Sequence, residues 1–326
     1  MKCVRRFLTL CLCLLLCLAP SLTARGEDTV CWRVPGVVTA RAGAVTAVSF
    51  RKISSAPAGE MQVLDEAGNV LTSVHLARGA KDGRILLRPE MGLKNGQILR
   101  FCFLHDGVSE LQSETMLAID DGREGIVRVD TAEKKIAITF DSANGVGRVP
   151  DLLDLLDRYD AKCTFFLQGA FLLNHPDQAI MISQRGHELA NHSMNHADMR
   201  VVDDGKILRE IRDCSAIIRE VTGQTVRYYR PPGGYYTWRD HAIGQALGHE
   251  MILWTFDSLD GFPQTGRYAM QNRMMQESRP GAIILMHIYG QHTLQVLETY
   301  LPAMKEQGYS FVTVGELMTC GPAVEK

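Results

Sequence analysis

Lys135-Ile136-Ala137-Ile138-Thr139-Phe140-Asp141-Ser142 is the stretch on which the fold turns. From 135 to 140 it is almost continuously apolar, without the alternation of a strand that has one wet face. Such a run marks a parallel strand covered on both sides. It ends on a carboxylate, Asp141, and the C-terminal ends of parallel strands are where α/β barrels place their chemistry.

Reading downstream, helix-like and strand-like segments alternate. Helical patterns fall near 149–159, 177–185 and 205–222. Strand patterns fall near 163–167, 188–191, 226–229, 251–255, 282–286 and 310–312. Alternation over about 190 residues predicts an α/β barrel. Upstream the texture changes to short strands near 44–50, 60–65, 70–76, 84–88 and 97–105. Between them sit turn signals at Ala67-Gly68-Asn69, Lys81-Asp82-Gly83 and Lys94-Asn95-Gly96, which favour antiparallel hairpins. Residues 29–119 therefore read as a small all-β immunoglobulin-like sandwich. It carries no cluster of catalytic type, so it is a spacer or packing module, or else a polymer- or protein-binding one. Residues 120–130, opening with Asp120-Asp121-Gly122-Arg123-Glu124-Gly125, read as a linker, and 131–320 as the barrel.

The first 24 residues read as a signal peptide: Lys2, Arg5 and Arg6, an apolar run over 7–19, then small residues ending at Ala24. The run is short for a bilayer span, which needs about 20 apolar residues; an uncleaved anchor is the alternative, and no stable membrane span is expected if the leader is cleaved. The expected location is secreted or cell-surface. The 326 residues are 46% hydrophobic and 22% charged, an ordinary globular composition. A formal charge of −2 excludes a strongly basic nucleic-acid binder. Nine cysteines include four in the leader; Cys31, Cys102, Cys163, Cys214 and Cys320 are too scattered for a disulfide framework or a C-x-x-C site. Buried free thiols are the favoured reading, a Cys31–Cys102 pair the alternative.

Polar residues recur at the predicted strand ends: Asp141, His192, Arg230, Asp257 with Asp260, and His287. Their convergence on one barrel mouth points to an enzyme. His192 and His196, four apart, share a face if the segment is helical, and so form a candidate metal pair. Two imidazoles hold zinc weakly, so a third ligand is needed. Gly233, in Arg230-Pro231-Pro232-Gly233, has an open backbone N–H suited to an oxyanion. Taken singly, each of these features also has an ordinary structural reading.

In order, however, Thr139-Phe140-Asp141-Ser142, His192-Ser193-Met194-Asn195-His196, Arg230-Pro231-Pro232-Gly233, Asp257-Ser258-Leu259-Asp260 and Leu285-Met286-His287 resemble the polysaccharide deacetylase family. This family is also called the NodB homology domain or carbohydrate esterase family 4. The resemblance spans roughly 130–318 and implies a distorted (β/α) barrel that removes N-acetyl groups from amino sugars. It implies Asp141 as general base, Arg230 as its partner, His192 and His196 as ligands of a divalent metal, zinc first, and His287 as general acid oriented by Asp260. It further implies Gly233 at the oxyanion, Leu285 at the acetyl methyl, and Asp257 as loop support. The implied partner is an N-acetylated cell-wall polysaccharide, with peptidoglycan favoured.

Two positions depart from the family pattern. Ser142 stands where a second aspartate usually supplies the third metal ligand, leaving Asn144, a water or Asp141 to complete the sphere. Gly261 stands where a tryptophan commonly walls the acetyl pocket. The competing reading is a catalytically weakened barrel that binds glycan.

Overall fold

The computed structural model describes residues 32–142 and 148–326; the predicted leader, Cys31 and Asn144 lie outside them. The first eight strands are β1 (Trp32–Arg33), β2 (Val37–Arg41), β3 (Thr46–Lys52), β4 (Gly59–Leu64), β5 (Val70–Leu76), β6 (Asp82–Leu87), β7 (Ile98–His105) and β8 (Val108–Asp120). They make a three-stranded sheet, β1-β3-β6, and a five-stranded one, β2-β8-β7-β4-β5. Strand pairs are antiparallel except β2 with β8. Inward residues of both sheets share one core: Val48, Phe50 and Ile85 from one meet Met61, Phe101 and Phe103 from the other. Trp32 stands edge-on to Phe50 at 5.5 Å between ring centres, a favourable quadrupole arrangement. Cys102 is buried with a free thiol.

The sandwich does not hang from a loose tether. Strand β8 runs through Asp120, and residues 126–129, expected to be linker, form β9 (Ile126–Val129). This strand pairs with β18 (Ala323–Glu325), and Ile126 and Val129 at its two ends are buried against Ile252 and Ile283. A separate apolar cluster joins the two halves: Val37, Met116 and Ala118 pack on Met199, Ile207, Ile211, Ala242 and Ile243. Thr39 Oγ1 also donates to Asp204 Oδ2 across the boundary (2.7 Å).

The second half is a curled parallel sheet. Its strands are β10 (Lys135–Asp141), β11 (Thr164–Leu167), β12 (Glu188–Asn191), β13 (Tyr228–Tyr229), β14 (Glu250–Met251), β15 (Phe256–Asp257), β16 (Ile283–His287) and β17 (Ser310–Phe311). The spatial order is β14-β13-β12-β11-β10-β16-β15, with β17 added against the start of β10. Strand β10 is central and buried along nearly its whole length, as its nearly continuous apolar run required. Helices cover the outside. The longest, Asp204–Thr222, is capped at its start by Asp203, whose side chain accepts from Lys206 N, and stops at Gly223 in the left-handed region (φ 75°), the usual stop chemistry.

One expected strand, 251–255, is split into β14 and β15. The carbonyls of Ile252 and Leu253 turn to the Arg230 guanidinium, 3.2 and 2.9 Å away. Leu253 N pairs with Ile126 and Thr255 N with Ile283, so no single neighbour strand guides the segment.

Gly281 ties β9 to β16. It sits at φ 78°, and a Cβ there would lie 1.9 Å from the Val129 carbonyl oxygen. Gly281→Ala is therefore expected to lower stability by at least roughly 1–3 kcal/mol, the cost of a strained non-glycine backbone. The check is the denaturant midpoint of the variant, and an unchanged midpoint would show that the close approach relaxes freely.

Candidate active site

Asp141 is the last residue of β10 and His287 the last of β16, and the two are register partners in the sheet. His192 follows β12, Arg230 follows β13, and Asp260 lies just beyond β15. These strand ends open on a cavity of about 370 Å³ lined by Asp141, Ser142, His192, His196, Gly233, Leu285 and His287. Arg230 and Asp260 stand directly behind it.

Arg230 is fully buried. Its Nη1 donates to Asp141 Oδ1 (2.7 Å) and Thr139 Oγ1 (2.9 Å), while Nε and Nη2 hold the carbonyls of Ile252 and Leu253. Its guanidinium carbon lies 3.9 Å from the centre of the Phe166 ring, and Trp254 lies on it at 5.6 Å. Burial alone would raise the Asp141 pKa. The charge and hydrogen bond of Arg230, with the charge of His287, outweigh it and hold the carboxyl below its ordinary value, so Asp141 is an anion in neutral solution.

The histidine pair meets by a different route from the one the spacing predicts. Residues 192–196 form no helix; Ser193 (φ 65°) and His196 (φ 57°) are both left-handed. Side chains pin this turn. Asn191 Oδ1 accepts from Ser193 N (2.7 Å), Ser193 Oγ from His196 N (2.9 Å), and buried Glu210 from Asn195 N and Nδ2. The result still brings the rings to 5.1 Å between centres, at 72°. His192 Nδ1 lies 2.9 Å from the Arg230 carbonyl oxygen, which can only accept, so Nδ1 carries the proton. Its Nε2 then turns a lone pair toward Asp141 Oδ2, 3.4 Å away. Burial pulls the His192 pKa down to about 4, so the imidazole stays neutral and fit to ligate.

The second dyad is equally tight. His287 Nδ1 lies 2.7 Å from Asp260 Oδ1, and Asp260 Oδ2 accepts from His287 N (2.8 Å) and Thr293 Oγ1 (2.6 Å). Burial pulls His287 down, but the hydrogen bond and charge of Asp260, backed by Asp141 and Asp257, prevail and raise its pKa above 6.5. Asp257 turns away from the cavity, its Oδ1 accepting from Leu259 N (2.7 Å).

Both departures acquire a structural account. Ser142 is buried, and its Oγ accepts from Gln168 N (2.9 Å) while Gln168 Nε2 holds its carbonyl (2.6 Å). The hydroxyl is thus engaged by backbone. Among the described residues, Asp141, His192 and His196 do not bring three ligand atoms within 4.8 Å of one another. At Gly261 a Cβ would lie 2.9 Å from the His287 ring, and the aromatic wall of the cavity comes instead from Trp254 and Tyr289. No local pattern in the sequence singles out Gln168 or Tyr289 at the cavity, nor Thr293 behind Asp260. Each is a common residue whose role depends on distant partners.

Residues 128–252 match the family model for polysaccharide deacetylase. The peptidoglycan-N-acetylglucosamine deacetylase of Bacillus cereus is 33% identical over 195 residues, 58% of this chain and 91% of the relative. The chain belongs to the polysaccharide deacetylase family. A second relative of that family, the peptidoglycan-N-acetylmuramic acid deacetylase PdaA of Bacillus subtilis, is 30% identical over 192 residues, covering 58% and 73% of the two chains. Its solved structure, a family 4 carbohydrate esterase, superposes with a TM-score of 0.56 at 28% identity, over 60% of this chain and 85% of that one. A CE4-family pseudoenzyme from Bacillus anthracis aligns similarly, with a TM-score of 0.57 at 26% identity over 68% and 83%; a mutant of it has restored enzymatic activity. The fold is thus the distorted barrel of this family.

Arg230→Met removes the fully buried guanidinium from Asp141 while leaving the aspartate in place. A stability loss of about 3–5 kcal/mol is expected, since an uncompensated buried charge remains. Urea unfolding measures it, and a loss below about 1 kcal/mol would show that the pair is replaceable by packing.

Proposed function

We propose that the chain is an exported, metal-dependent deacetylase acting on N-acetylated amino sugars of peptidoglycan outside the cytoplasm, with the leader read at 1–24 directing export. The observation that carries the reading is the convergence of two ion-paired dyads, Asp141–Arg230 and His287–Asp260, on one cavity beside the histidine pair. The peptidoglycan substrates of the named relatives support the choice of polymer. The N-terminal domain is read as an immunoglobulin-like sandwich packed as a support for the barrel.

The donor set suits a divalent cation: two imidazoles, with the lone pair of His192 facing a carboxylate across 3.4 Å, leave an electron-rich gap that a cation satisfies. His192 and His196 would hold it, zinc first, and when bound it supplies Lewis-acid polarisation of the acetamide carbonyl. Asp141, kept ionised by Arg230, takes a proton from the attacking water. The water oxygen bonds to the carbonyl carbon, and the Gly233 N–H supports the resulting oxyanion. The carbon–nitrogen bond then breaks as His287 delivers its Nε2 proton to the departing amine, leaving acetate and a free amino sugar. Leu285 packs on the acetyl methyl, with Trp254 across the cavity.

This assignment makes acetate release from N-acetylated peptidoglycan fragments the direct assay, and Asp141→Asn is expected to abolish it. Stoichiometric zinc without acetate from peptidoglycan or chitin fragments would favour the glycan-binding reading, to which Ser142 and the pseudoenzyme likeness lend their weight. Ser142→Asp is expected to tighten zinc binding, because a carboxylate replaces a hydroxyl tied to backbone; titration of the metal-free chain decides.

The pH profile follows from the same dyads. His287 acts only when protonated, so activity should fall as pH rises through its raised pKa. Asp260→Asn removes the partner that raises it and should move this alkaline limb to lower pH. An unmoved limb would assign the acid role to another group.

A further inference from the structure

A second group of ligand-type side chains lies where sandwich and barrel meet. Asp120 closes β8, Asp121 follows it, and His241 projects from the helix Trp238–Ala246. Among the described residues this is the one trio of His, Cys, Asp or Glu whose ligand atoms all lie within 4.8 Å of one another. His241 is only 4% exposed, and its Nδ1 is buried without a hydrogen-bond partner. One helical turn on, on the same face, the Gln245 amide directs Nε2 at Asp121 (3.3 Å) while its Oε1 is buried and unpartnered. A cavity of about 170 Å³ adjoins His241 and Gln245 and shares no lining residue with the catalytic cavity.

We propose that Asp120, Asp121 and His241 form a second divalent-metal site, of the zinc class, that clasps the sandwich to the barrel. One imidazole and two carboxylates are a borderline-hard donor set of the kind zinc accepts, and a dication offsets the two negative charges held beside the buried ring. The present occupant of Asp121 is Arg123, whose Nε sits 2.8 Å from Oδ2. That guanidinium is 58% exposed and free to swing into solvent. Backbone N–H groups of Gly122 and Arg123 fix one oxygen of each aspartate, which orients the carboxylates before any metal arrives. Gln245, by turning its amide, offers a neutral oxygen as a further ligand.

The site is separable from the catalytic one. In the full chain carrying His192→Ala and His196→Ala, stripped with chelator and titrated with zinc chloride, one equivalent is expected to bind and to raise Tm. Adding His241→Ala should weaken that binding at least tenfold and remove the Tm response. Asp121→Asn, at an exposed position, should do the same and serves if His241→Ala fails to fold. Absence of zinc binding in the two-histidine variant, or binding that survives both substitutions, overturns the proposal. Either outcome is read from metal content alone, so loss of acetate release would leave this site standing and bear only on the proposed activity.

Discussion

The buried contact between Arg230 and Asp141 is the constraint around which the barrel is arranged. A guanidinium with no access to water must have its donors met, and four acceptors from two separate pieces of chain meet them: Asp141 and Thr139 on β10, and the carbonyls of Ile252 and Leu253. Meeting them has a structural cost, the interruption of the strand between β14 and β15. It also has a return. The arginine carbonyl fixes the His192 tautomer, so one residue sets the charge of Asp141 and the direction of the neighbouring imidazole lone pair.

The two dyads shift their titratable groups in opposite directions by environment. Asp141 sits against a cation and is held below its ordinary pKa; His287 sits against an anion and is held above its own. Both are largely buried, so burial opposes the charged form in each, and in each a specific partner overrides it. Sites that push neighbouring titratable groups in opposite directions suit paired proton transfers.

Much of this was legible in the sequence where the signal is local. The nearly continuous apolar run of β10 and the order of polar residues at strand ends needed no partner to be read. What escaped was set by contacts far along the chain. The split of β14 from β15 depends on Arg230, more than 20 residues upstream. The His192–His196 turn looked helical from spacing alone, yet Asn191, Ser193 and Glu210 bend it into left-handed backbone. Residues 126–129 looked like linker because their strand partner, β18, lies almost 200 residues on.

That last pairing bears on the order in which the molecule comes into being. During synthesis the sandwich strands, all before residue 121, emerge together and have their partners at hand. Strand β10 must wait for β16, and β9 for β18, so the sheet that carries the candidate site stays incomplete while most of the chain is already made. A domain with such late closure exposes apolar strand edges for longest, whereas Val37, Met116 and Ala118 on the sandwich have their helix partners Ile207, Ile211, Ala242 and Ile243 made well before the sheet closes.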